Sequence, residues 1–269
     1  MDRGIILKQF TKLPNAGDVA SRYVVSRLLG RRVSIAGEAA LTRPNLIGAG
    51  SILHWSDRKS IVWGTGLISE STKLRSAPAR IVAVRGHLTR QRLAEQGIHC
   101  PGLVGDPGSL ISDLFAVDRP PQGVGIVPHY VDRDAPFVAE CLERGAVLID
   151  PFSPLETYLT AIASCEVIVS SSLHGIVFAH AYGRPAVWVT LSSGVIGGRF
   201  KFLDYWSSVG FSPGEVPNLS GNDPFQRILD EARLPRAEID KEALRAALLS
   251  ISEELVACRG RHTEHGELG

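Results

Sequence analysis

Apolar residues occur along the chain in short runs, and longer segments with helical spacing of apolar positions separate these runs. The nine runs long enough for a buried strand are residues 5–7, 32–36, 45–47, 60–63, 81–84, 124–127, 146–149, 167–169 and 186–190. Strand-length runs that alternate with helix-length intervals are typical of βαβ units, whose strands form parallel sheets. The pattern therefore predicts an α/β fold.

One segment interrupts this alternation and divides the chain. The stretch "LFAVDRPPQGVGI", residues 114–126, contains two adjacent prolines, two glycines and two charged residues, which are typical of a linker. We therefore predict an N-terminal domain of residues 1–118 and a C-terminal domain of residues 119–269. Each domain is expected to be a doubly wound sheet, and the loops at the carboxyl ends of both sheets are expected to face a shared crevice.

The last part of the chain has the pattern of a helix. Leu244, Leu248, Ile251 and Leu255 are spaced by four, three and four residues, which is the apolar stripe of an amphipathic helix. We assign this helix to the C-terminal domain and expect it to pack on a domain face.

The composition excludes several classes of protein. With 44% hydrophobic and 21% charged residues, the 269-residue chain is an ordinary globular protein, and no apolar run approaches the roughly 18 residues that cross a bilayer. The segment "MDRGIILKQFTKLPNAGD" has no signal-peptide cleavage pattern, so we expect a cytoplasmic location. The net charge of +1, with mixed signs along the chain, argues against nucleic-acid binding. The four cysteines show no Cys-x-x-Cys spacing and predict neither a zinc site nor a disulfide framework.

Polar residues and glycines follow the predicted strands of the first half. "PNAGD" brings Asn15, Gly17 and Asp18 to the start of a predicted helix, where Asp18 is either the N-cap or a carboxylate facing a ligand. The Gly-x-Gly pairs of "IGAGSILHWS" and "IVWGTGL" follow two further strands, and His54 and Trp55 lie just beyond the first pair. Two such pairs at successive strand ends favour backbone amides that face an anion.

An arginine ends the fifth predicted strand. In "IVAVRGHLTRQRLAEQGI", Arg85 stands at the carboxyl end of a buried run. A buried guanidinium needs an anionic partner, which is either a carboxylate or phosphate of a ligand or an internal carboxylate such as Asp106.

The second half has a polar cluster at two strand ends. "GIVPHY" places His129 after one strand. "VIVSSSLHGIVFAHAYGRPAVWV" places Ser171, Ser172 and His174 after the next, with Gly175 inside the helix that follows. Hydroxyl groups at a helix N-terminus form an anion site, and a histidine beside it can donate to a phosphate or act as an acid.

A glycine-rich segment supplies further cations and aromatics. "SSGVIGGRFKFLDYW" leads to Arg199 and Lys201, and Asp204, Tyr205 and Trp206 follow within one or two helical turns. The cations suit an anionic ligand, and the aromatic residues suit a sugar or ordinary core packing.

Taken together, the order and spacing of these pieces resemble one family. "NAGD", "GAGSILHW", "VWGTG", "VRGHLTRQRLAEQGI", "GDPGSL", "IVPHY", "SSSLHGIVFAHAYGRPAV" and "RFKFLDYW" are similar to the corresponding stretches of polysaccharide pyruvyl transferases, especially the ketal pyruvyltransferases of bacterial exopolysaccharides of the xanthan type. The resemblance implies a GT-B-like fold of two Rossmann-like domains with the active site in the interdomain cleft. It also implies an enzyme that uses phosphoenolpyruvate as donor and the diol of a hexose on a lipid-linked oligosaccharide as acceptor, and that releases phosphate.

Many members of that family have Arg-Leu-His where this chain has Ser172, Leu173 and His174. The difference removes one guanidinium from the implied phosphate site, and Arg199 or Lys201 is expected to replace its charge. The xanthan-type branch shares the serine form, so we interpret it as a trait of a subfamily.

The chemistry of this reaction suggests a role for each candidate residue. The acid and base candidates are His174, Asp18, His129 and His54, with His174 on the phosphate side or acting as acid. The candidates for binding phosphoenolpyruvate, mainly on the C-terminal domain, are Arg85, Ser171, Ser172, Gly175, Arg199 and Lys201. The candidates for binding the acceptor are Asn15, Gly17, Trp55, Asp204, Tyr205 and Trp206. No metal is expected, because the Asp and His residues do not show ligand spacing and arginines can neutralise the phosphate. No organic cofactor is expected, because phosphoenolpyruvate is a co-substrate.

Two other functions remain open at this level. A sugar-nucleotide glycosyltransferase of the same architecture is supported by fold analogy, although no clear acidic pair for a donor ribose follows the helix after His174. A non-catalytic glycan-binding protein of a polysaccharide assembly complex would use the same aromatic residues. The expected partners are phosphoenolpyruvate and a glycan acceptor, with peripheral contact at the cytoplasmic face of the inner membrane if the acceptor is lipid-linked, and no nucleic acid.

Overall fold

The computed structural model describes residues 4–13, 15–38 and 41–256. Ten strands are present in this part of the chain: β1 (Ile5–Lys8), β2 (Val33–Ala36), β3 (Asn45–Ile47), β4 (Ser60–Trp63), β5 (Arg80–Ala83), β6 (Val124–Val127), β7 (Val147–Leu148), β8 (Val167–Ser170), β9 (Ala186–Thr190) and β10 (Leu219–Ser220). All nine predicted strands are confirmed. The sequence did not predict β10, because two residues with one serine carry no hydrophobic signal.

Helices connect the strands. The α-helices of the described ranges are α1 (Ala16–Leu29), α2 (His87–Glu95), α3 (Ile111–Leu114), α4 (Pro136–Glu143), α5 (Leu155–Ala163), α6 (Leu173–Ala181), α7 (Phe200–Ser208), α8 (Phe225–Asp230), α9 (Lys241–Ser250) and α10 (Ser252–Val256). Short 3-10 helices occupy Leu53–Trp55, Pro107–Leu110, Tyr130–Asp132 and Pro213–Glu215.

The strands form two parallel sheets of five strands each, in the orders β2-β1-β3-β4-β5 and β10-β9-β8-β6-β7. When the strands of each sheet are numbered from one to five in chain order, both sheets have the order 2-1-3-4-5. In both sheets the chain changes direction at one point, between β1 and β3 in the first and between β6 and β8 in the second. Ligands of doubly wound sheets bind outside the carboxyl ends of the strands at such a switch point. The predicted α/β class with two doubly wound, Rossmann-like sheets is confirmed, and the likeness to the GT-B fold stays a prediction.

The two halves are packed tightly together. One cluster of buried side chains runs from β1 of the first sheet, with Ile5 and Leu7, to β6 and β8 of the second, with Val127 and Ile168. A continuous apolar core of this kind fixes the two sheets relative to each other. The carboxyl ends of the two sheets are therefore held in fixed positions relative to each other.

The C-terminal helices pack on the first sheet, although they follow the second sheet in sequence. Helix α9 contacts β4 and β5, and α10 contacts β1. The indole Nε1 of Trp63 on β4 donates to the carbonyl oxygen of Leu244 at 2.9 Å. The four residues of the predicted apolar stripe are all buried. The predicted helix is thus present as α9 and α10, and the division of the chain at residue 118 stays a prediction.

Among the residues that the structure describes, none of the helices has both the length and the apolar character that crossing a bilayer requires.

Candidate active site

A pocket of about 280 Å³ opens at the carboxyl ends of both sheets. Most of its wall comes from the segments that follow β1, β3, β6 and β8, which are the strands at the two switch points. It is lined by Phe10, Asn15, Asp18, Gly50, Ser51, His54, Trp55, Ile68, His129, Tyr130, Pro151, Ser172, Leu173, His174, Ile196 and Lys201. Eight of the sixteen predicted site residues line this pocket. Larger cavities occur along α2, beside α9 and after β9, but none of the three brings acids, bases and a cation without an ion pair together. The cavity after β9 shares Ile196 with the pocket and is lined by the predicted residues Ser171 and Arg199.

Asp18 is held at the start of α1 by its neighbour Asn15. Asn15 is the N-cap, and its Oδ1 accepts from the backbone N–H of Asp18 at 3.2 Å. The side-chain amide of Asn15 also donates to Asp18 Oδ2 at 2.5 Å. Burial raises the pKa of Asp18 to about 7, although the hydrogen bond from Asn15 and the charge of Lys201 oppose the increase. The carboxyl group of Asp18 is therefore about half protonated at pH 7. The N-cap alternative for Asp18 is excluded, because Asn15 is the N-cap.

His174 lies in the first turn of α6, directly against α1. A methyl group at Gly17 would stand 2.2 Å from His174 Nδ1, so only glycine allows the imidazole to approach this closely. The ring stacks on Phe178 at 5.7 Å, and its Nε2 is buried without a hydrogen-bond partner among the described residues. Burial, followed by the charges of Lys201 and Arg85, lowers the pKa of His174 to about 3. His174 is thus a neutral imidazole.

Lys201 lies in the first turn of α7 and is only 7% exposed. Within the described ranges no hydrogen bond or ion pair involves its ammonium group. Burial and the charge of Arg85 lower the pKa of Lys201 to about 8, so that it is still mostly charged at neutral pH. The ammonium lies 5.4 Å from the centroid of the Phe202 ring, which is a weaker partner than an anion, so an anionic ligand in the pocket would stabilise its charge.

His129 follows β6 and faces the same group of charges. Its backbone N–H donates to Ser171 Oγ at 2.8 Å, and its Nδ1 accepts from the N–H of Val131 at 3.4 Å. Burial and the charge of Lys201 lower the pKa of His129 to about 4. His129 is therefore a second neutral imidazole. Buried Ser171 holds the backbone of His129 and lines the neighbouring cavity after β9 instead of this pocket.

His54 and Trp55 occupy the 3-10 helix after β3. Lys8 of β1 fixes this segment, because its Nζ donates to the carbonyl oxygen of Trp55 at 2.7 Å and to Asp57 Oδ2 at 2.6 Å. Burial lowers the pKa of His54, and its Nδ1 has no partner in the described part of the chain.

Arg85 does not reach the pocket surface, contrary to the prediction that it binds phosphoenolpyruvate. Its guanidinium is fully buried, and Nε donates to Asp204 Oδ2 at 2.9 Å. The remaining nitrogens donate to Ser51 Oγ at 2.5 Å and to the carbonyl oxygen of Leu67 at 3.0 Å. The internal ion pair that the sequence left open is thus formed with Asp204 and not with Asp106. Arg85 affects the pocket through Ser51 and through its charge.

Three predicted acceptor residues are structural instead. Asp204 is fully buried, and its carboxylate accepts a hydrogen bond from Arg85. It also accepts from the backbone N–H and from the hydroxyl of Thr89, each at 2.7 Å. Tyr205 and Trp206 lie in the core, and the Tyr205 hydroxyl is 2.9 Å from His180 Nδ1. They cannot contact an acceptor in this arrangement, so those predictions are wrong.

Two further predictions are corrected by packing. Arg199 stacks on Trp188 at 4.8 Å, donates to the carbonyl oxygen of Val216 and bonds to Asn218, which leaves it outside the pocket. Gly175 is required for space, because a methyl group there would stand 2.4 Å from Ser170 Oγ.

The sequence did not identify several residues that line the pocket, among them Phe10, Ser51, Tyr130 and Ile196. Ser51 and Tyr130 directly follow the strand-end motifs "GAG" and "VPH", so their position was the available signal. Phe10 and Ile196 are apolar and carry no such signal, because an apolar residue near a strand end is usually part of the core.

Comparison with known proteins gives a consistent family. Residues 46–193 match the family model of polysaccharide pyruvyl transferases. Uncharacterized protein L143 of Acanthamoeba polyphaga mimivirus is 30% identical over 236 residues, which cover 81% of this chain and 82% of that protein. Succinoglycan biosynthesis protein ExoV of Rhizobium meliloti (strain 1021) is 28% identical over 183 residues, covering 64% of this chain and 56% of ExoV.

Among solved structures, E. coli ADP-heptose lps heptosyltransferase II aligns with 94% of this chain at 12% identity, with a TM-score of 0.28. A score this low does not establish a common fold. The family match includes more than half of the 269 residues and contains His54, His129, Ser172 and His174 of the pocket. The chain belongs to the polysaccharide pyruvyl transferase family.

Proposed function

We propose that the protein is a ketal pyruvyltransferase that moves the pyruvyl group of phosphoenolpyruvate onto two hydroxyls of one hexose and releases phosphate. The hexose belongs to a lipid-linked unit of an exopolysaccharide or surface glycan, and the reaction takes place in the cytoplasm without a metal or organic cofactor. One observation carries the proposal. The unpaired ammonium of Lys201 lies in the same pocket as the protonatable carboxyl of Asp18 and the neutral imidazoles of His129 and His174.

Phosphoenolpyruvate has a carboxylate and a phosphate, and the pocket offers groups that bind anions. Lys201 supplies a desolvated positive charge, and the N-termini of α6 and α7 add the favourable ends of two helix dipoles. Ser172 is the N-cap of α6 and its hydroxyl makes no capping bond. Arg85 lies behind Ser51 and adds positive potential without direct contact. These groups support a donor with several negative charges.

The volume of the pocket supports a compact donor. At about 280 Å³ it is near the lower end of the roughly 300–1,000 Å³ that is usual for ligand pockets. Phosphoenolpyruvate and a sugar ring suit this space better than a nucleotide sugar does. The alternative of a sugar-nucleotide glycosyltransferase is therefore disfavoured by the pocket as well as by the family.

The acid step is assigned to Asp18. Its proton goes to the methylene carbon of phosphoenolpyruvate, which becomes a methyl group, and positive charge develops at C2. The oxygen of one sugar hydroxyl then bonds to C2, the bond between C2 and the phosphate oxygen breaks, and the second hydroxyl oxygen bonds to C2. Of the two hydroxyl protons, one restores Asp18 and the other leaves with phosphate.

The base steps are assigned to the two neutral histidines. His129 and His174 are unprotonated at neutral pH, so each can accept a proton from a sugar hydroxyl or pass it to phosphate. Burial thus exchanges the roles expected from the sequence, because it keeps Asp18 protonated and His174 unprotonated. The fixed charge of Lys201 stabilises the departing phosphate in a pocket with little water.

Ligand binding tests this proposal before any acceptor is known. The melting temperature is measured with phosphoenolpyruvate, UDP-glucose and GDP-mannose for the wild type, for Lys201→Met and for the control Lys241→Met, whose lysine pairs with Asp113 at the surface. A ligand that binds only the native state raises the melting temperature by mass action. Phosphoenolpyruvate is expected to stabilise the wild type and the control but not Lys201→Met. Stabilisation by a nucleotide sugar, with none by phosphoenolpyruvate, would contradict the proposal.

A further inference from the structure

Aromatic side chains stand at the pocket on both sides. Phe10 and Trp55 come from the first half, with ring centroids 6.5 Å apart and an interplanar angle of 32°. Tyr130 and Phe152 come from the second half, with centroids 6.4 Å apart and an angle of 44°. Phe10, Trp55 and Tyr130 line the pocket, and Phe152 directly follows the lining residue Pro151. Each half therefore contributes an aromatic wall, which is Phe10 and Trp55 in the first half and, in the second, the lining residue Tyr130 with Phe152 beside it outside the lining.

The second wall is exposed in a way that core packing does not explain. Phe152 is 46% exposed, and Ile196, which lines the pocket, is 72% exposed. Large apolar side chains that remain exposed together beside a pocket indicate a binding surface. By contrast, Tyr205 and Trp206, the aromatics that the sequence suggested for sugar binding, are buried.

Tyr130 connects this wall to the reacting groups. Its ring lies 4.2 Å from that of His129, and its hydroxyl forms no hydrogen bond within the described ranges. Burial, with a contribution from the nearby charge of Asp18, raises the pKa of Tyr130. A sugar ring that packs on Tyr130 would therefore have its edge close to Asp18, the acid of the proposed reaction, and to His129, one of its bases.

A pyranose suits two such walls. Its C–H faces are apolar and pack on aromatic rings, while its hydroxyls point outward from the ring edge towards polar groups. In this pocket the polar groups at that edge are Asp18, His129 and His174. A sugar held by its faces would therefore present its hydroxyls to the acid and the bases.

We infer that the acceptor hexose binds between the wall of Phe10 and Trp55 and the wall of Tyr130 and Phe152, and that Tyr130 and Phe152 determine acceptor specificity. The rest of the glycan leaves the pocket over Phe152 and Ile196. This inference rests on the proposed function for the identity of the reaction, but the sugar site itself is tested without any reaction.

Tryptophan fluorescence provides the test, because Trp63, Trp188 and Trp206 are all buried and Trp55 is the remaining tryptophan. The probes are the methyl pyranosides of glucose, galactose and mannose, and the measurement is protection of the fluorescence from acrylamide quenching. At least one hexoside is expected to protect the wild type. Phe152→Ala and Tyr130→Ala should weaken its apparent affinity about tenfold, as for truncation of a binding hot spot. Tyr130→Phe, which keeps the ring, should stay within about twofold.

The matched control is Leu249→Ala, which removes an apolar side chain that is 55% exposed on α9, away from the pocket. It should bind the hexoside as the wild type does. Wild-type affinity in Phe152→Ala, or no protection by any of the three hexosides, would overturn the inference. Phosphoenolpyruvate binding is measured on the wild type and on Leu249→Ala. A protein that binds the hexoside but not phosphoenolpyruvate would contradict the proposed function and leave the sugar site intact.

Discussion

At the residue scale, burial divides the ionisable groups of the pocket into a protonated acid and two unprotonated bases. The pKa of Asp18 is raised to about 7, while those of His129 and His174 are lowered to about 4 and about 3. Groups whose environments move their pKa values in opposite directions are suited to acid and base catalysis. The residue types and their place at strand ends were predictable from the sequence. Their protonation states were not, because burial results from packing between the two halves.

Asp18 should make the free energy of unfolding depend on pH, and the substitution Asp18→Asn should remove this dependence. In the folded protein its pKa is about 7 instead of 3.8, so the folded state binds more protons than the unfolded state between these values. Stability therefore decreases as the pH rises through this range. As the pH rises from about 5 to about 8, the wild type should lose stability and Asp18→Asn should not, so that the variant gains stability relative to the wild type. Urea unfolding of both proteins at the two pH values checks this, and parallel pH profiles would contradict the assigned pKa.

At the element scale, two contacts between the halves position the site. Helix α1 touches α6 where Gly17 meets His174, and β5 is joined to α7 by the ion pair of Arg85 and Asp204. Helix α7 also carries Lys201, one turn before Asp204. The sequence predicted a ligand role for Arg85 because a strand-end arginine needs an anion. It identified Asp204 as a candidate residue but gave no means of pairing it with Arg85, because the two residues are 119 positions apart.

Substitution of Gly17 tests the first contact. In Gly17→Ala the new methyl group would stand 2.2 Å from His174 Nδ1, so the imidazole must move out of its position. The methyl group would also stand 2.5 Å from Cγ and 2.8 Å from Cβ of His174, so the start of α6 must shift as well. We expect the free energy of unfolding to decrease by about 1–3 kcal/mol and pyruvyl transfer to decrease by a factor of about 100. Gly214→Ala is the control, since a methyl group there meets no atom within 4 Å. Wild-type activity in Gly17→Ala would show that His174 is not held where the reaction needs it.

Loss of Asp204 tests the second contact. Asp204→Ala leaves the guanidinium of Arg85 buried without its carboxylate, which should lower the free energy of unfolding by about 3–5 kcal/mol. Asp113→Ala removes partly exposed ion pairs with Lys241 and Arg245, and should cost only about 0–1 kcal/mol. Denaturant unfolding measures both values. An equally small loss in the two variants would contradict the structural role of the Arg85 ion pair.

At the scale of the whole molecule, the two sheets share a core, and the last helices return to the first sheet. The sequence predicted the α/β class and nine of the ten strands of the described chain, because strand-length apolar runs are local signals. It did not predict that α9 and α10 would cover β4, β5 and β1. An amphipathic stripe shows that a helix has a buried face, but not which surface covers that face.

The shared core predicts cooperative unfolding. Trp63 and Leu244 join the first sheet to α9, and the ion pair of Arg85 and Asp204 joins it to α7, so neither half can lose its structure alone without exposing apolar surface of the other. Calorimetry should therefore show one transition in which the calorimetric and van't Hoff enthalpies agree. Two separate transitions would indicate that the halves are independent domains.

The transfer reaction itself is the most direct test of the central claim, that this pocket moves a pyruvyl group from phosphoenolpyruvate to a glycan. The purified protein is incubated in D₂O with phosphoenolpyruvate and a panel of hexosides and lipid-linked oligosaccharides, and phosphate release and the mass of the glycan are measured together. The wild type is expected to release phosphate in step with a glycan that gains pyruvate less one water, with deuterium in the new methyl group. Asp18→Asn and His174→Ala should lose this activity by a factor of about 100 to 10,000 while remaining folded. Phosphate release without pyruvylated glycan, or full transfer by folded Asp18→Asn, would contradict the account.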